Sequence, residues 1–415
     1  MDFALQPLTE SGKRFVALAE RHAADFTTRA AAHDRDGSFP FENIAAMQQS
    51  GVMAACVPEE LGGLGVRSLH DYTLGMSRLG RGDGSTAIAA NMHIFRPWRM
   101  TRLWEAAKAA GDAAHAAGLE RRLRRIGAGQ LLMCACVSEA GTDILHPQLA
   151  STKTDGGWLL NGQKIFATMS PAAQLLDISF RFRDAQGVDR LAMASVPRDS
   201  PGLEIKYNWD ALGMRGSGSH DVVLTDCFIP DAALLELGVW GEWSEPYLTG
   251  NMTIAMGLAG VFLGIAETAR DLIIEAVKTR RKGPSGRTLA ERPAIQQLIA
   301  EIEIDLAASR AILGRTAMAA DAFFSQHPVE GVPLDQLHAL MKDFQCAKWF
   351  VNRKAIDVVD RALTASGGAG YLSKHPLSRL YRDVRAGPFM QPFSPNEAFE
   401  YIAKVTLGLD PRLDA

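Results

Sequence analysis

The spacing of apolar residues changes twice along this chain, and one repeating architecture cannot accommodate both patterns. From Leu5 to about Arg125, Ala-, Leu- and Arg-rich segments follow the helical period. Gly-Ser-Phe-Pro at 37–40, Pro58-Glu59-Glu60-Leu61-Gly62-Gly63 and the stretch from Gly80 to Gly84 interrupt them. Over 130–235 the segments shorten. LLMCACVSEAGTD runs from apolar into turn residues, Ile178, Phe180 and Phe182 alternate with polar neighbours, and DVVLTDCFIP closes the series at Pro230. Asn161-Gly162 lies between two short apolar segments and predicts a two-residue hairpin turn. The helical period then returns. Ile254, Leu258, Val261, Phe262, Ile265, Ala269, Leu272 and Ile273 fall on one stripe, and Ile295, Leu298, Ile299, Ile302 and Leu306 on a second. A third begins at Leu334, Leu337, Met341 and Phe344 and ends before Gly367, Gly368 and Gly370, which supply a helix stop. The pattern predicts an α+β chain: an all-α part over 1–128, a β part over 129–238 and a helical bundle over 239–415.

Composition narrows the function classes. The 415 residues, 47% apolar and 22% charged, suffice for several buried cores. A formal charge of -3 gives no footprint for nucleic acid or anionic membrane, and Arg121, Arg122, Arg124 and Arg125 read as a solvated helix face. No uninterrupted apolar run reaches the ~18 residues of a membrane span, and the N-terminus lacks a signal pattern, so the expected location is the cytoplasm. Five cysteines without a C-x-x-C pair and ten histidines without H-E-x-x-H predict neither a disulfide framework nor a metal site.

Several motifs fall in a recognisable order: VPEELGGLGV at 57–66, CVSEAGTD and then LNGQKIFAT, LGMRGSGSHDVVLTDCFIP, SGGAGY, and RLYRDVRAGP. Together they resemble the acyl-CoA dehydrogenase superfamily of flavoproteins over about residues 5–409. The resemblance implies an N-terminal all-α domain, a central β-barrel-like domain and a C-terminal four-helix bundle, in a homodimer or homotetramer. FAD is the implied cofactor, with FMN or reduced flavin from a partner reductase less favoured. Cys136, Val137, Ser138, Gly141 and Thr142 would form the flavin loop, whose small residues let backbone N–H and hydroxyl donors approach. Phe166 stands where the family usually has Trp against the flavin, and Thr168 where a hydroxyl meets the ring. Gly367, Gly368 and Gly370 would approach a neighbouring subunit's cofactor. The chain departs from the family in three places. Its flavin loop is two residues shorter, Lys282 to Gly286 replaces Arg-x-x-Phe-Gly, and Thr364 stands where a Gln is usual. These changes bear on the family's cross-subunit adenine contacts and not on its fold.

The sharpest departure is chemical. Dehydrogenases of this family need a carboxylate to accept the substrate's α-proton. Counting from Asp383 places Gln391 at the usual Glu position, and the alternative position at the start of the first bundle helix holds Gly250, followed by Asn251 in place of Arg. Three readings follow. Gln391 and Asn251 could serve an oxygenase, which uses flavin and O2 and needs no such base, with the amide orienting a substrate. A dehydrogenase with a displaced base, served by an electron-transfer partner, could use Glu242, Glu245 or Glu397. A non-catalytic scaffold is the third. Oxygen chemistry is favoured, on an acyl thioester (CoA- or carrier-bound), a related small acid or an aromatic substrate.

Overall fold

Short polar side chains and glycines set the helix boundaries of the first hundred or so residues. In the computed structural model, which describes residues 3–283, 286–327, 329 and 331–412, seven helices precede the first strand. They are α1 (Glu10–Thr27), α2 (Ala30–Asp36), α3 (Phe41–Gln49), α4 (Leu69–Gly82), α5 (Gly84–Ile94), α6 (Arg96–Ala110) and α7 (Ala113–Gly127). Thr9, Ser68, Asp83 and Asp112 cap α1, α4, α5 and α7 by accepting backbone amides. Gly37 and Gly111 end α2 and α6 in the left-handed conformation.

Eight strands follow: β1 (Met133–Cys136), β2 (Ala150–Thr154), β3 (Gly157–Ala167), β4 (Leu175–Arg183), β5 (Asp189–Pro197), β6 (Leu203–Ile205), β7 (His220–Pro230) and β8 (Leu234–Val239). They make two four-stranded sheets, ordered β1-β4-β5-β8 and β2-β3-β7-β6, in which only the β1–β4 pair is parallel among the described strands. Trp158 of β3 meets Phe182 of β4 edge to face at 5.2 Å, and Leu160, Ile178, Phe180 and Leu224 are buried around them. The predicted hairpin turn at Asn161-Gly162 is corrected. The β2–β3 turn lies at Asp155 and Gly156, and Asn161-Gly162 is inside β3. There the register against β7 shifts, Gly162 takes φ 144°, and the Asn161 amide exchanges two hydrogen bonds with Asp226. A bulge and a tight turn both recruit Asn-Gly, so local sequence cannot separate them.

Three long helices, α8 (Glu245–Thr279), α9 (Pro293–Gln326) and α10 (Leu334–Ser366), are followed by α11 (Pro376–Asp383) and α12 (Pro395–Leu407), the shorter fourth member of the bundle. The stripe expected on α8 is buried or half-buried along its length, and from Ala255 to Glu267 the helix is buried all round. Small residues make that possible. A Cβ on Gly260 or Gly264 would stand 2.3 or 2.0 Å from the carbonyl oxygens of Thr73 and Ser77 in α4. By composition α8 could cross a membrane, with a mean hydropathy of 1.6 over 18 residues, but 89% of that window is buried inside the protein. It is the core helix joining the first part to the bundle.

Candidate active site

The Arg-Asp element acts as a fastener. Arg382 donates to Asp34 of α2 at 2.8 Å and to the Leu212 carbonyl at 3.2 Å. Asp383 is buried, accepts the Met214 amide at 2.7 Å and lies 3.3 Å from Arg379, which also reaches Asp83. Burial pushes the Asp383 carboxyl up to about 6, against the pull of Arg379 and the Met214 amide. Gly213 lets the loop before β7 touch the end of α11, since a Cβ there would stand 2.3 Å from the Arg382 carbonyl oxygen. The Leu-Gly-Met-Arg and Arg-Asp motifs therefore lock bundle, β part and α2 together.

Beyond this clasp, 3-10 turns over Val384–Phe389 lead to Gln391, whose peptide bond to Pro392 is cis. The Gln391 amide nitrogen donates to the Ser138 hydroxyl at 2.8 Å, which joins residues 253 positions apart. The Ser138 carbonyl accepts the Ile165 amide at 2.9 Å, fixing the loop after β1 to the end of β3. The chain then turns sharply: Phe166 takes φ 56°, is 56% exposed and sets its ring edge-on to Trp209 at 5.8 Å. Thr168 Oγ1 lies 2.8 Å from Ser219 Oγ, which lies 2.7 Å from Ser217 Oγ, a line of three hydroxyls. Ser138, Phe166, Thr168 and Gln391 thus sit on connected segments around one rim.

Buried charge shapes the loop between them. Glu139 accepts the amides of Gln148 and Leu149 at 2.6 and 3.2 Å and the Lys164 ammonium at 2.5 Å. Lys164 is fully buried; burial pulls its pKa down while Glu139 holds the charge in place. Thr142 donates its hydroxyl to the His146 carbonyl at 2.6 Å, so that proton braces the loop. Asp143 accepts the amides of Leu145 and His146 and bonds the His146 ring. Gly141, at φ 76°, has open space around it. Cys136 turns its thiol into the core, where Cys134 and burial raise its pKa, and the Val137 carbonyl is taken by Lys164 and Ser179. Both support the loop from beneath.

Other expected residues lie elsewhere. Gly367, Gly368 and Gly370 follow α10, near Arg280 just past the end of α8, where Arg280 bonds the Ser366 carbonyl. Tyr247, at the opposite end of α8, donates to the Ile144 carbonyl in the loop between β1 and β2. A helix of 35 residues spans roughly 52 Å, so one chain does not bring these glycines to the rim. Gly250 has open space beside it, while Asn251 donates its amide back to the Tyr247 carbonyl. Glu397 closes a capping box with Ser394, Glu242 is exposed 3.9 Å from Arg412, and Glu245 accepts the Thr249 hydroxyl. Within the segment from Lys282 to Gly286, Pro284 and Ser285 lie outside the described residues. Ser217, Ser219 and Trp209 were missed; Gly-Ser-Gly-Ser at 216–219 was the available signal.

The rim suits a flavin. It offers hydroxyls at Ser138 and along Thr168–Ser219–Ser217, uncrowded backbone at Gly141 and an exposed aromatic ring at Phe166. Fold and rim define a flavin-dependent oxidoreductase. Comparison with known proteins agrees. Models of the acyl-CoA dehydrogenase N-terminal, middle and C-terminal domains match residues 9–97, 134–227 and 256–393. L-evernosamine nitrososynthase of a Micromonospora species is 37% identical over 97% of this chain and 92% of its own. The amino sugar nitrososynthase of Streptomyces peucetius is 34% identical over 97% and 95%. A structure solved with FMN and dTDP-3-amino-2,3,6-trideoxy-4-keto-3-methyl-D-glucose superposes with a TM-score of 0.87 at 35% identity, covering 98% of this chain and 96% of its own. The chain belongs to the acyl-CoA dehydrogenase family, and its cofactor is a flavin.

Proposed function

We propose that this protein is a flavin-dependent N-oxygenase that oxidises the amino group of a nucleotide-linked amino sugar. The observation that carries the reading is Gln391, a neutral amide held to Ser138 where a dehydrogenase of the family carries its base. An amide cannot take the α-proton of a thioester, but it can orient a polar substrate without competing for protons. It also leaves an amine free to react. A carboxylate there would stabilise the ammonium form, whose nitrogen has no lone pair to offer. The relatives described above support the substrate class. Oxidising a primary amine to a nitroso group removes four electrons, and two successive reactions, each using O2 and a reduced flavin, balance it. Reduced flavin supplies the electrons that activate oxygen; the protein orients the amine and shields the site from water.

The test supplies the flavin-loaded protein with a flavin reductase, labelled O2 and a dTDP-linked amino sugar, and follows product mass. The expected product carries labelled oxygen on nitrogen. Flavin bleaching by an acyl-CoA under anaerobic conditions, with no labelled product from the amine, would establish the displaced-base dehydrogenase instead.

A further inference from the structure

On its bundle side, the segment carrying Gln391 is held by a buried lysine. Lys348 of α10 is 4% exposed, and its ammonium donates to the carbonyls of Met390 and Phe393, the latter at 2.6 Å. One helical turn on, the Asn352 amide donates to the Gly387 carbonyl at 2.9 Å. Two side chains on one face of α10 thus hold carbonyls four residues before, one before and two after Gln391. No ion pair to Lys348 is found among the described residues, and Glu397, the acid that influences it, is itself held in a capping box. A buried ammonium solvated by peptide carbonyls alone is a costly way to fasten a turn, since a methionine would fill the same volume. The turn also has room to shift. A cavity of about 210 Å³, lined by Lys348, Trp349, Asn352, Pro388 and Phe393 among others, lies against it.

We propose that Lys348 is a positioning residue of the active site: by gripping the carbonyls on either side of Gln391 it sets the place from which that amide reaches Ser138. The inference rests on the reading of Gln391 as the group facing the substrate. Without these two N–H donors, the turn relaxes toward the cavity and the Gln391–Ser138 bond is lost, while the helices around it keep their own packing.

The test compares wild type, K348M, Q391A and K348M/Q391A as full chains. Hydrogen exchange of the flavin-free proteins reads the turn directly. K348M is expected to speed exchange over 387–393 by roughly tenfold or more, leaving α8 and the β4–β5 pair unchanged. With flavin bound, product formed per reduced flavin oxidised should fall as far in K348M as in Q391A, and no further in the double variant. Unchanged exchange in K348M, or losses that multiply in the double variant, would overturn the proposal. If Q391A alone loses nothing, the role of Gln391 fails and the positioning role with it, whatever exchange shows about the clasp. Should K348M not fold, K348Q, which retains a donor, is expected to fold and show a smaller change in the same direction; wild-type exchange and coupling in K348Q would also overturn the proposal.

Discussion

At the scale of single residues, the proposed amine chemistry turns on whether position 391 carries a charge. Q391E would place a carboxylate beside the Ser138 hydroxyl. A carboxylate near an amine favours the ammonium, so less free amine is present at neutral pH. The expected outcome is a loss of roughly tenfold in amine oxidation at pH 7 and a rate profile displaced upward by about one pH unit. A profile identical to wild type would remove Gln391 from the neighbourhood of the amine. Lys348 yields a stability test. Burial lowers its pKa from the ordinary 10.5 to about 7, so the folded protein sheds a proton that the unfolded chain keeps. A neutral amine still has two N–H donors for the Met390 and Phe393 carbonyls, so the clasp persists. The cost of burying the charge, full below about pH 7, is relieved as pH rises toward 10.5. Between pH 7 and 9 wild type should therefore gain stability over K348M, at most about 1.4 kcal/mol per pH unit, measured by urea midpoints. Gln391 and Ser138 were legible in the sequence because spacing from neighbouring motifs located them. Lys348 was not, since a lysine in a helix reads as solvated, although it falls on the stripe of Met341, Phe344, Val351 and Ala355.

At the scale of elements, the change of period announced where helices give way to strands, while the way elements meet was less visible. A stripe of apolar residues on α8 predicts one buried face, yet glycines opposite that stripe allow a second helix to approach. Sequence reading weights large side chains, and the information here is the absence of one. Two positions on the same helix separate propensity from packing. Gly264→Ala puts a methyl 2.0 Å from the Ser77 carbonyl oxygen and is expected to cost about 1–3 kcal/mol. Gly250→Ala meets nothing within 4 Å and should be neutral or stabilise by up to about 1 kcal/mol, because alanine is the better helix former. Chemical denaturation of both variants checks the pair; equal effects would mean that α4 does not rest against α8 at Gly264. The Asn161-Gly162 error has the same origin, since only the partner strand decides whether that dipeptide turns or bulges.

At the scale of the whole molecule, one chain fastens its three parts through Arg382, Asp383 and α8 yet leaves an apolar patch at the far end of the bundle. Tyr371 is 84% and Leu372 51% exposed beside the bare Gly367 and Gly368, a surface that a second chain would cover. The family resemblance assigns this segment to a neighbour's cofactor, and the roughly 52 Å length of α8 shows why the same chain cannot use it at its own rim. The part of a flavin that could reach so far from the ring is the adenine of FAD; FMN has none. If a neighbouring chain covers this surface, light scattering should give the wild type a multiple of 44.9 kDa and Tyr371→Glu a mass nearer a single chain. Placing a charge in an apolar contact also removes any grip on the adenine, so FAD affinity should fall by about tenfold while FMN affinity changes less than about twofold. If FAD and FMN weaken together, the loss has reached the rim through the fold. If mass and both affinities stay as in wild type, the three glycines do no more than stop α10.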